Sequence, residues 1–179
     1  MKIILSKIKP SLRELIFVCG VGLIITFLSI IYFSIHGYPL VNTASGTLNI
    51  TTPPIYMIPI FFPYGMLLGE IIWIWNEKKD YKVLILDLIV INLIGLFSFI
   101  RYIIAIPFSG HAIIIFYYLV HQVFNNRYGY KFRIIVGIVV LIITLIFKFF
   151  LWNDPLTFIL GGILGCTIWF LRFMFCKLK

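Results

Sequence analysis

Apolar positions run in six long blocks along this chain, and the breaks between them are polar and mostly short. The blocks cover about residues 15–35, 55–75, 83–106, 112–124, 134–151 and 156–175. Most approach the roughly 20 apolar residues a helix needs to cross a hydrocarbon core of about 30 Å. The expected fold is therefore all-α: a polytopic integral membrane protein, a single transmembrane domain over residues 1–179, built as a bundle of six transmembrane helices.

The breaks refine that reading. The first block follows Lys2, Lys7, Lys9 and Arg13, as a secretory signal would, but it is too long for a signal core and has no small-x-small cleavage site. It reads as an uncleaved first helix. The connection from Gly37 to Pro54 is the longest polar stretch, and Pro59 and Pro63 then fall in the first half of the second block. Proline removes a backbone donor and kinks or breaks a helix. The expectation is that helix in the second span starts only near Pro63, and that the segment before it folds back as a partly irregular lid on the outer side.

Composition narrows the class. Of the 179 residues 62% are apolar and 12% charged, against about 25% charged in an ordinary soluble domain. A soluble core of this length cannot hide that surplus, so a free soluble enzyme is excluded. The formal net charge of +9 sits beside the apolar blocks and forms no solvated basic face, so nucleic acid is not an expected partner and membrane lipids are. Cys19, Cys166 and Cys176 have no metal-ligand spacing, and no metal or other cofactor is implied.

The same charges orient the bundle. With a cytoplasmic amino terminus, Lys78, Lys79 and Lys82, then Arg127, Lys131 and Arg133, then Arg172, Lys177 and Lys179 all fall on the cytoplasmic side. The opposite connections carry no Lys or Arg, so the positive-inside pattern places a multi-pass protein in the cell membrane with both termini cytoplasmic. Gly65-x3-Gly69 and Gly161-x3-Gly165 each put two small residues on one helix face, where a neighbouring backbone can approach closely.

Ionisable residues inside apolar blocks are costly and need a reason. They sort into two layers. Near the cytoplasmic side, Glu70 and Asp87 come to the same depth if their helices are antiparallel, and His121 can join them as an ion or proton site. The alternative is that both carboxylates snorkel or pair with the loop lysines. On the outer side stand Arg101, Ser109, Gly110, His111, Lys148 and Asp154. Two cations, an imidazole and the amino terminus of the fourth helix suit a phosphate. Alternatively, Ser109 is a helix cap and the cations snorkel.

Phe108-Ser109-Gly110-His111-Ala112, between the third and fourth spans of a six-span chain, resembles the type 2 phosphatidic acid phosphatase superfamily, which includes the lipid phosphate phosphatases. The resemblance implies an enzyme acting on a phosphorylated lipid at the outer leaflet. It gives Ser109 and Gly110 a part in holding phosphate with Arg101 and Lys148, and makes His111 the general acid, with Asp154 as a further catalytic group. Tyr102 and Ile94 stand where the superfamily has Pro and Lys, and Asn153 where it has its nucleophilic His, so the implied enzyme is a divergent phosphatase or phosphotransferase. Two other classes remain: a small proton- or cation-coupled transporter using Glu70, Asp87 and His121, and a non-catalytic membrane assembly subunit.

Overall fold

In the computed structural model the described residues are helical apart from one short ribbon and a few connecting positions. The structure describes residues 10–37, 41–43, 46–48, 58–78, 81–100, 108–125, 129–151 and 155–177. The helices are α1 Pro10–His36, α2 Ile58–Lys78, α3 Tyr81–Ile100, α4 Gly110–Asn125, α5 Tyr130–Ile146 and α6 Pro155–Lys177. A π-helical turn, Phe147–Leu151, extends α5. Between α1 and α2, β1 Val41–Thr43 and β2 Gly46–Leu48 pair antiparallel, with Val41 opposite Leu48.

Among the described residues, four helical segments are long and apolar enough to cross a membrane: Leu12–His36, Ile58–Glu77, Tyr130–Phe149 and Pro155–Cys176. Leu84–Phe97 and Gly110–Phe124 are shorter apolar helices. Outward faces are equally apolar: Leu23, Ile24, Phe27 and Leu28 on α1 and Ile135, Ile138 and Ile142 on α5 are exposed. Such continuous apolar surface is untenable in water and suits lipid, the character of a membrane protein.

α4 is the buried centre. Ala112, Ile113, Ile114 and Ile115 are almost wholly enclosed, and Tyr117 and Tyr118 continue the same core with Val18, Met66, Ile94 and Trp169 from four other helices. At 1.5 Å per residue α4 is about 24 Å long, short for a bilayer core of about 30 Å. Neighbouring helices shield it on several sides, which explains how a short helix with two polar residues near its end sits in the middle.

Glycine sets the close approaches. A Cβ at Gly65 would lie 2.8 Å from the Gly22 Cα, so α1 and α2 meet backbone to backbone. On α6, a Cβ at Gly161 would lie 2.5 Å from the Ser109 carbonyl oxygen, and one at Gly165 would overlap the Ile113 carbonyl oxygen. Gly37, at φ 87°, ends α1 in a left-handed conformation open to glycine at little cost.

The second span corrects one expectation. α2 starts at Ile58, before Pro63. Pro59 occupies the first turn, where a missing N–H costs no helical hydrogen bond. Pro63 removes only the bond to the Pro59 carbonyl and is carried inside the helix, one turn from its start. Most of the expected lid, including residues 38–40, 44–45 and 49–57, lies outside the described residues.

Candidate ion site at one end of the bundle

Each of five helices carries an inward stripe that ends in charge. On α1 the buried positions Glu14, Val18, Gly22 and Thr26 recur every four residues. On α5 they are Arg133, Gly137, Val140 and Thr144, and Lys148 follows on the π-helical turn. Glu70 follows Met66 and Leu67 on α2, Asp87 precedes Val90 and Ile91 on α3, and Arg172 follows Trp169 on α6. On α4, His121 and Gln122 stand one turn after Tyr117 and Tyr118. The helical period thus turns these polar groups toward the core. Glu14, Glu70, Asp87, His121, Arg133 and Arg172 all lie within about 12 Å of the helix ends at one end of the bundle.

There they assemble into two groups. Arg133 bridges two carboxylates: Nη2 donates to Glu14 Oε1 at 3.0 Å, and Nη1 lies 3.2 Å from Glu70 Oε2. Gln122 Nε2 donates to Glu70 Oε2 at 2.8 Å, and His121 Nε2 lies 3.4 Å from Glu70 Oε1. The Tyr118 hydroxyl donates to the Arg133 carbonyl at 3.2 Å, tying the start of α5 to α4. In the second group Arg172 Nε donates to Asp87 Oδ1 at 2.6 Å. The Tyr117 ring lies parallel to the His121 imidazole, with centroids 6.0 Å apart.

A narrow cleft joins the groups. Its apolar walls are Leu67, Ile71, Ile74 and Ile91, and its polar lining is Glu70, Asp87, Tyr117 and His121. All three residues expected in the cytoplasmic layer therefore border one space. Arg133, Glu14, Gln122 and Arg172 complete the two groups and were not read as site residues from sequence. The buried four-residue stripes are the signal that identifies Glu14 and Arg133, because each continues an inward face one turn beyond its last apolar residue. Glu70 and Asp87 take guanidinium partners from distant helices, a pairing that snorkelling toward the α2–α3 loop did not anticipate.

The opposite layer is packed more tightly. The Ser109 N–H donates to the Thr157 carbonyl at 2.8 Å, and the Ser109 carbonyl accepts from Ile113 at 3.0 Å. The Ser109 side-chain oxygen accepts from the Ala112 N–H at 3.4 Å, as a helix cap does. Ser109 and Gly110 are buried and His111 is half-buried. Lys148 is only 2% exposed, on the π-helical turn. Arg101 and Asp154 lie outside the described residues. Two polar atoms that suit phosphate are thus already engaged, one at the α4–α6 junction and one in the cap of α4.

Among the described residues no three His, Cys, Asp or Glu side chains converge as metal ligands. Compared with the known protein families, with curated proteins and with solved structures, the chain has no significant match.

Proposed function

We propose that this is a six-span protein of the cell membrane, both termini cytoplasmic, whose Glu70–His121 pair takes up and releases a proton in the manner of a proton- or cation-coupled transporter. One observation carries the reading: Arg133 sits between two buried carboxylates, Glu14 and Glu70, and His121 touches the second of them beside an open cleft. Two carboxylates, one guanidinium and an imidazole thus share one buried group. Buried ionisable groups in an apolar bundle are costly and mark ion or proton paths, and an imidazole against a carboxylate can hand a proton on. Histidine suits the task because its ordinary pKa lies near neutrality. The positive-inside distribution of Lys and Arg supports placing this end at the cytoplasmic face.

In liposomes carrying an internal pH-sensitive dye, the wild-type protein is expected to dissipate an imposed pH gradient. Glu70→Gln and His121→Asn should each slow that dissipation by about tenfold or more. Wild-type rates in both variants reject the proton reading.

The second reading is a phosphorylated-lipid site at the other end, favoured by Lys148. A lysine buried in an apolar bundle needs a role, and π-helical turns occur frequently at functional sites. Here Lys148 and Arg101 would hold phosphate, Ser109 and Gly110 would line it, and His111 with Asp154 would serve the chemistry. Purified protein should then release phosphate from a polyprenyl or diacylglycerol phosphate, and His111→Ala should lower the rate by about tenfold or more. Unchanged turnover in that variant removes His111 from the mechanism.

A further inference from the structure

We infer that the cleft between α2, α3 and α4 binds a lipophilic monocation: a protonated amine carried on an apolar chain. The deciding group is Asp87. Its side chain is 6% exposed, and Oδ1 accepts from Arg172 Nε. Among the described residues Oδ2 has no hydrogen-bond partner. Arg172 approaches from outside the cleft lining, whereas Asp87 is part of it. Glu70 differs, since both of its oxygens are already within reach of His121, Gln122 and Arg133. The cleft therefore presents one under-coordinated carboxylate oxygen, and a carboxylate accepts hydrogen bonds from an ammonium.

The rest of the lining suits the same guest. Tyr117 adds an aromatic ring to the lining, and aromatic rings attract cations. Leu67, Ile71, Ile74 and Ile91 match a hydrocarbon chain leaving through the open side. The interior of the cleft is narrow, which favours a compact primary ammonium head over a bulky trimethylammonium.

Asp87 and the Glu70–His121 pair line the same cleft, so a guest at Asp87 sits beside the group that carries the proton. That link rests on the proton reading above, whereas the binding site itself does not.

The test uses the full chain in phosphatidylcholine nanodiscs, titrated with n-octylammonium at fixed pH and followed by calorimetry. Saturable binding is expected, with octanol and octyltrimethylammonium each weaker by about tenfold or more. Asp87→Asn should weaken octylammonium binding by a similar factor. Because that variant also loosens Arg172, Ile74→Trp, which fills the cleft and leaves every charge in place, must show the same loss. Equal binding of octanol, or wild-type affinity in both variants, overturns the inference. Adding phosphatidylethanolamine to the nanodiscs identifies the natural source: a weakened apparent affinity assigns the site to an aminolipid headgroup, and an unchanged one to a free amine. If binding fails while Glu70-dependent proton flux persists, the cleft inference falls alone. If flux is absent while binding persists, the proton reading falls and the site stands.

Discussion

Replacing Arg133 with Met should destabilise the folded bundle by about 3–5 kcal/mol, the usual cost of removing one partner from a buried ion pair. Arg133 is wholly buried and serves two carboxylates at once, Nη2 on Glu14 and Nη1 on Glu70. The substitution preserves much of the stem's apolar volume, so the loss measures charge left unpaired more than a cavity. Unfolding by a denaturing detergent, read from helical circular dichroism, gives the number. Glu14→Gln added to Arg133→Met should recover more than about 1 kcal/mol, because the two residues contact each other and their effects do not add. A cost below about 1 kcal/mol for Arg133→Met would show that the network does not hold the helices together.

Gly165→Ala on α6 should cost about 1–3 kcal/mol, with Gly161→Ala close behind, the range for forcing extra volume into a packed interior. The new methyl at Gly165 overlaps the Ile113 carbonyl, and the one at Gly161 falls 2.5 Å from the Ser109 carbonyl. Both obstacles are backbone, so neither can rotate aside and α4 must move away from α6. Gly20→Ala is the control, since nothing lies within 4 Å of its Cβ position and alanine is the better helix former. That variant should be neutral or more stable by up to about 1 kcal/mol. Equal melting temperatures for Gly165→Ala and Gly20→Ala would contradict the close α4–α6 packing.

Much of the helical plan follows from local chemistry. A run of about 20 apolar residues bounded by polar ones can satisfy its backbone in lipid only as a helix, so the positions of α1, α5 and α6 are close to those read from the blocks. The small-residue pairs Gly65/Gly69 and Gly161/Gly165 announce close helix approaches for the same local reason, because two residues four apart share a face. Proline misleads at the start of α2, where Pro59 and Pro63 look like breaks. A proline near the beginning of a helix forfeits at most one bond, and the neighbours of α2 hold the rest of the turn.

Local pattern is enough to mark which segments are helical and apolar, that most charged residues gather at one end of them, and that Glu70, Asp87 and His121 are polar groups requiring a reason. Which group answers which is fixed in three dimensions. Gln122 reaches Glu70 across 52 positions, Arg172 reaches Asp87 across 85, and Arg133 reaches Glu14 across 119. Periodicity states which face of a helix is inward, but it is silent about which other helix lies opposite that face. That choice belongs to packing: the glycines bring α1 onto α2 and α4 onto α6, and those approaches place Arg133 between two carboxylates and leave Asp87 facing the cleft.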